Sequence, residues 1–453
     1  MSSFITTDLK SLVLDLYRQD IDGDGRYYVA LSSADSADGG YFGQNQARNE
    51  MNIVKVISDK SFVVPNVTWT SGRTYNAYDD NLPNQENFYV INSVNEVYLC
   101  IEQAKDNAGT AQPSTVEPTG TIVDAAPFGD RQNTFYTSDK YCWRYLFKLT
   151  GLASNNFKTL DHIPVSKVEL STSSITETAE QINLQDGSIA GEILGIAIDS
   201  AGTGYTFTPT LTIIGNGTNA AFTAKLSAGR IVNVTVDSGG GGNLFHGSGY
   251  DYAEIKVSGE GGAVLRPIIG PSAGVNADPR ETLRSNQFMI YTEIQDDENG
   301  TLPLADPVND FKQAMIIRNP LKLNDSDFTA NTGNAMDYFE IENIQDGPFL
   351  GDEIVSNNAE TRKVKVYWHD TTSTPNRLYY VRNHETGFLA WPDASIAIVG
   401  QTSGAQATIT SGGVKTSDIN RYSGDVMYLN NLETSIDRTS SQTEDIKIVI
   451  DLG

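Results

Sequence analysis

The sequence predicts a mainly-β protein: a layered β-sandwich core with a few short helices in its loops, and two small β modules inserted into it. Three observations lead there. The 453 residues include 40 glycines and 21 tyrosines, with abundant Thr, Ser, Asn and Asp, a mixture of strand formers and turn formers. Brief apolar runs bounded by turn residues recur along most of the chain. Long stretches rich in Ala, Leu, Glu and Lys, which an all-helical protein needs, are nearly absent. With 39% hydrophobic residues the chain has enough apolar side chains for real cores, and its length suits about two to four domains.

The first element is a helix. Leu9, Leu12, Val13, Leu16 and Tyr17 follow the spacing of one helical face. Thr6 or Thr7 can cap it, Asp8 suits its positive end, and the Asp/Gly run from Asp20 to Gly25 ends it. Short strands follow at Tyr27 to Leu31, Ile53 to Ile57, Phe88 to Ile91 and Val97 to Ile101. From Lys140 to Leu149, Tyr141, Trp143, Tyr145 and Phe147 alternate on one face while Cys142, Leu146 and Leu149 lie on the other, so burial on both faces is expected. Ile446, Ile448, Ile450 and Leu452 alternate with polar neighbours, which describes a half-buried closing strand.

Two stretches interrupt this frame. Residues 191–274 are Gly-rich and internally duplicated. Ile196 to Tyr205 is answered by Val234 to Gly239 and Gly247 to Tyr250. Each Gly-Tyr leads to a second strand, Thr210 to Ile214 or Glu254 to Val257, and then to a third, Phe222 to Leu226 or Val264 to Ile269. Two copies of a three-strand unit imply a pseudo-symmetric module. The second insert spans 347–413, where Phe349 to Val355 is loosely echoed by Phe388 to Val399. The frame is then 1–190, 275–346 and 414–453.

The charge narrows the function classes. Only 32 Lys and Arg face 57 acids, a formal charge of −25. Phosphate binding depends on cationic side chains displacing counterions, so no nucleic-acid partner is expected, and an anionic membrane surface would repel the chain. A basic partner remains compatible. MSSFITTDLK lacks a basic segment followed by an apolar run, so no signal peptide is expected. No apolar stretch approaches the roughly 20 residues that span a bilayer. Cys100 and Cys142 are the only cysteines. They exclude a disulfide framework, leave one bridge open, and read as buried small hydrophobes from a reducing compartment.

The search for chemistry assigns no catalytic, cofactor-binding or metal-binding residue. Asp20, Asp22, Asp24 and Gly25 imitate the start of an EF-hand loop, but Leu31 occupies the twelfth position, where a bidentate Glu belongs. A helix-ending acidic turn is the better reading. His162, His246, His369 and His384 form no close pair with another His or with Cys. Glycines 239–242 are followed by no Gly-Lys-Ser/Thr, and no two carboxylates stand out as a glycosidase pair. The aromatic stripe at Tyr141 to Phe147 is a core or interface feature before it is a sugar platform.

Four segments carry a family resemblance. The first is Val54-Lys-Val-Ile57 with Val64, Pro65, Trp69, Arg73 and Tyr75. In the second, Val97 to Ile101 leads through Pro118-Thr-Gly120 to Tyr141 to Leu149. The third is Phe311 to Leu321, and the fourth is Arg421 to Asn431 followed by Arg438 and Gln442 to Ile446. In this order they resemble the dimeric baseplate wedge subunit of T-even-type contractile-tailed phages (myophages). The resemblance implies a layered β-sandwich acting as a homodimer that links peripheral and inner wedge proteins during baseplate assembly. It implies a place in the virion tail after synthesis in the host cytoplasm, and no catalytic residues or cofactors. The family lacks the two inserts. The alternative reading is a tail-associated adhesin whose inserts bind host glycans, and a polysaccharide hydrolase is the weakest alternative.

Overall fold

The computed structural model describes residues 7–33, 41–120, 133–169, 175–238, 244–296, 298, 310–437 and 442–451. The protein is mainly β, 45% strand against 11% helix, so strand pairing organises it. It divides into two compact units. One comprises Met1–Leu14, Ser61–Met289 and Val449–Gly453, the other Asp15–Lys60 and Ile290–Ile448.

In the first unit, a four-stranded sheet runs in the order Tyr89–Ile91, Glu96–Glu102, Cys142–Lys148, Thr134–Tyr136. The expected aromatic stripe sits on its Cys142–Lys148 strand, and both faces are buried. Tyr141 and Trp143 stack with ring centres 5.5 Å apart, and Tyr75 meets Trp143 edge-on at 5.7 Å. These rings are sealed in the core, where they offer no sugar platform. Cys100 and Cys142 are buried free thiols, and burial pushes both thiol pKa values up.

The duplicated module of this unit closes in a way that the repeat alone does not reveal. Every main pairing joins one copy to the other. The first strand of copy one, Ile193–Ser200, pairs with the third of copy two, Val264–Ile269. The third strand of copy one, Phe222–Ser227, pairs with the first of copy two, Arg230–Val236. The two middle strands, Leu211–Gly215 and Ala253–Val257, pair antiparallel with each other. Turn chemistry explains the exchange. The first strand is separated from the second by residues 201–210 in copy one and 237–252 in copy two, so no tight hairpin forms there. The two-residue turn lies between the copies, at Ala228 and Gly229, both with positive φ (47° and 72°). That is the type I′ geometry matching the twist of a hairpin.

The duplicated Gly-Tyr pairs lock the exchange. Tyr205 of copy one packs on the Gly259–Gly261 turn of copy two, and Tyr250 of copy two packs on the Gly215–Gly217 turn of copy one. A Cβ on Gly261 or Gly217 would overlap the facing ring. Both tyrosines therefore join the module core with Ile193, Phe222, Ile231 and Ile255. The module is fastened to its sheet by the fully buried Arg144–Glu192 pair at 2.7 Å and by bidentate Arg266–Asp79 contacts.

In the second unit, a five-stranded sheet runs in the order Thr332–Asn334, Met51–Val56, Tyr27–Ser32, Asp310–Arg318, Asp425–Asp437. Six further strands of this unit close into a barrel: Asp337–Gln345, Asn376–Val381, Lys363–Asp370, Ile354–Asn357, Ile396–Gly400, Gln406–Lys415. The barrel therefore starts before the expected boundary at residue 347. Its first strand sends Phe339 and Ile341 into the barrel core and closes the ring against Gln406–Lys415. The echoed segments supply adjacent strands, Val355 opposite Gly400. The echo fails in the aromatics, since Phe349 is buried while Phe388 is exposed, and Trp391 fills the core instead, 4.9 Å from Phe339.

The leading helix spans Thr7–Asp22. Its periodic face does not become core: Leu9, Leu12, Val13 and Leu16 are about half exposed, while Leu14 is buried and Tyr17 meets Tyr27 edge-on at 5.3 Å. Among the described residues, no helix is long and apolar enough to cross a membrane.

Candidate binding cleft

The candidate residues read from sequence are occupied structurally. Asp20 accepts from the Arg318 guanidinium through both carboxylate oxygens (2.8 Å each) and from the Tyr27 hydroxyl at 2.5 Å. The guanidinium bond, ahead of the tyrosine bond, holds its carboxyl below the usual range. Asp22 pairs with Lys60 at 2.5 Å. Gly25 is required by the turn, because a Cβ there would run into the Asp20 carbonyl and carboxylate. This stretch ends a helix and ties it to a sheet strand. Among the described residues, no cluster of three or more His, Cys, Asp or Glu side chains has metal-holding geometry.

The histidines are dispersed in role. His246 is buried with Nδ1 2.8 Å from the Ile193 carbonyl. His369 is buried in the barrel, where Nδ1 accepts the Phe349 backbone N–H at 3.1 Å, and burial lowers its pKa. His162 lies on a short strand, and His384 is exposed on a barrel loop. Glycines 239–242, Thr6, Arg438 and Leu452 lie outside the described residues, as does the Thr7 side chain.

A cleft of about 1010 Å³ in the second unit has room for a ligand. It is built from three segments. The helix Tyr41–Asn49 is anchored by Ala47 in the core beneath the five-stranded sheet. At its end, the Arg48 guanidinium donates to the carbonyls of Arg421, Ser423 and Gly424, each at 2.7 Å. The loop before the sheet's last strand is thus tied to the helix. Arg421 in turn donates to the Asn49 carbonyl (3.0 Å) and to Asp337 (2.9 Å), which also accepts from Arg382.

The third segment is the barrel loop 383–388. Asn383 Oδ1 accepts the Glu385 and Thr386 backbone N–H groups at 3.0 and 3.1 Å, and Gly387 turns with φ 74°. This side-chain-capped turn fixes the loop. Two exposed rings line the cleft, Phe388 (49% exposed) and Tyr422 (55%). Neither is loose. The Tyr422 hydroxyl donates to Asn49 Oδ1, and Phe388 meets the His384 ring edge-on at 5.8 Å. The carboxylates of Glu50, Glu385 and Asp425 line the cleft, whereas its one guanidinium, Arg48, is buried against carbonyls. The cleft therefore sets carboxylates, which also interact with Lys365 and Arg318 beyond its lining, beside aromatic faces, a combination that attracts cations.

The sequence reading missed this cleft and the helix that forms one wall. Tyr41–Asn49 is polar and Gln/Asn-rich, without the apolar period that marks a buried helix. No local signal brings 44–50, 383–388 and 422–426 together. No protein-family model matches the chain, and no curated protein matches it.

Proposed function

We propose that this chain is a structural virion protein, a baseplate wedge subunit of a contractile phage tail that dimerises and links neighbouring wedge proteins. One observation carries the reading. Strands from the segments that bear the family resemblance, although far apart in sequence, meet in two sheets, while Val64, Pro65 and Thr443 to Ile446 lie on strands outside both. Val97 to Ile101 and Tyr141 to Leu149 lie on paired strands of the four-stranded sheet. Phe311 to Leu321 and Arg421 to Asn431 supply paired strands of the five-stranded sheet, which also contains Val54. The resemblance thus falls on the frame rather than on the inserted modules.

Rigid sheets carrying surface loops suit a protein that must hold shape among several neighbours, and a strong net charge keeps such a subunit dispersed until they arrive. The half-exposed apolar stripe on the leading helix adds a surface suited to burial in an assembly. Light scattering of the purified chain is expected to give twice the monomer mass, and co-expression with wedge proteins of the same tail is expected to give a stable complex. A monomer at high concentration that binds none of them overturns the reading.

A second reading rests on two exposed rings. Phe207 and Tyr252 stand two residues beyond Tyr205 and Tyr250, at equivalent places in the duplicated module, and both are exposed. An adhesin role for this module predicts glycan-array binding that disappears when 191–274 is deleted. An array with no signal above background removes it.

A further inference from the structure

The cleft and the edge of the five-stranded sheet share residues. Asp425 and Val426 line the cleft and also begin the strand Asp425–Asp437. Among the described residues the sheet ends at that strand. A sheet edge offers backbone donors and acceptors to an added strand, and pockets beside it select the side chains of the incoming segment. Edges are commonly protected by lysine or proline. This strand contains neither, although its pairing shifts register twice, between Phe311 and Gln313 and between Ile316 and Ile317 of the neighbouring strand.

We propose that an extended, lysine- or arginine-bearing segment of a partner chain docks along the Asp425 to Asn430 edge and places a cationic side chain in the cleft. Within it, the faces of Phe388 and Tyr422 and the carboxylates of Glu385 and Asp425 receive the charge. Three features select this occupant. The lining carries three carboxylates against one guanidinium that is already spent on three carbonyls; Lys365, which interacts with Glu50 and Glu385, and Arg318, which interacts with Asp425, are not among the lining residues. The Tyr422 ring is held by its hydroxyl bond to Asn49 before anything binds, which lowers the ordering cost of docking. The whole chain is strongly acidic, at −25, so it draws a basic segment from a distance. A phosphorylated or acidic ligand meets repulsion at the same place.

The proposal deepens the assembly reading and rests on it, since an assembling subunit is what needs such a contact. The test uses the full-length chain and isothermal titration calorimetry with three probes: an acetylated, amidated peptide TKVKVKT, its counterpart TEVEVET, and chitotetraose. The lysine peptide is expected to bind, more weakly as salt rises, and the glutamate peptide to give no heat of binding. Phe388→Ala and Glu385→Gln are each expected to weaken the lysine peptide about tenfold, within the range of a desolvated cation–aromatic contact. Both side chains are exposed, so neither change threatens the fold. Circular dichroism of the variants checks this directly. Equal binding of the two peptides, affinity unchanged by both variants, or tighter and variant-sensitive binding of chitotetraose each overturns the proposal. Loss of peptide binding beside an intact dimer and wedge complex removes the cleft contact alone. Peptide binding without any dimer or wedge complex removes the assembly reading and leaves the contact standing.

Discussion

The duplicated module and the six-stranded barrel are both built from echoed segments, yet they close by opposite means. In the barrel, the echoed strands Ile354–Asn357 and Ile396–Gly400 lie side by side in a continuous ring. Its interior is filled by Phe339, Tyr380, Trp391 and aliphatic neighbours. In the module, each copy is incomplete and takes its pairing partners from the other. One structure is secured by large side chains in a shared interior. The other is secured by the absence of side chains, because its turns must be bare for a tyrosine to lie across them. Repetition in a sequence thus fixes neither the pairing nor the kind of residue on which stability depends.

The sharpest way to break this comparison is to hollow out the barrel. Phe339→Ala removes a ring packed 4.2 Å from Tyr380 and 4.9 Å from Trp391. It is expected to cost about 4 kcal/mol, read as a lower urea midpoint for the tryptophan signal of the barrel. In the module the equivalent damage comes from adding atoms. Gly261→Val and Gly217→Val are expected to destabilise by about 3 kcal/mol each through overpacking against Tyr205 and Tyr250. The two losses should match because the copies exchange roles. A loss confined to one glycine would show that the lock is not reciprocal.

Acidification separates the regions next. The Phe349 N–H bond requires a neutral His369 ring, and burial lowers its pKa despite the opposing charge of Asp370. The unfolded chain then binds this proton more readily, so the contribution is complete above the unfolded value of about 6.5 and is lost as pH falls toward the depressed folded value. Denaturant titrations are expected to show the barrel weakening across that window, and His369→Asn to flatten the dependence. The smallest effect is a gain. Ala228 occupies a positive-φ turn position that asparagine favours, so Ala228→Asn is expected to stabilise the module by about 0.5 kcal/mol in thermal unfolding.

Much of the frame was legible because its signals are local. The alternation from Tyr141 to Phe147 requires a strand buried on both faces. The duplication was visible as well. The exchange of strands was not, since it follows from which connection is short enough to form a hairpin. The leading helix was legible as a helix, but hydrophobic period reports amphipathicity and not whether a partner covers the apolar face. Exposure of Leu9, Leu12, Val13 and Leu16 is therefore a tertiary fact. The cleft was the least legible feature. Its rings, Phe388 and Tyr422, are fixed by a capped turn and by Asn49, and no short window of sequence contains that relation.

The pairing of Ile193–Ser200 with Val264–Ile269 also sets a schedule for synthesis. A nascent chain emerging from the ribosome presents its first module strand about seventy residues before the strand that will cover it. Only the hairpin around Ala228 and Gly229 can form as it emerges. The rest must wait until copy two is complete, and closing such distant pairs is slow compared with a local turn. During that interval Ile193, Ile196 and their neighbours remain exposed. The polar, glycine-rich connections of this region then have a second use: they keep a half-made module from sticking to itself or to its siblings.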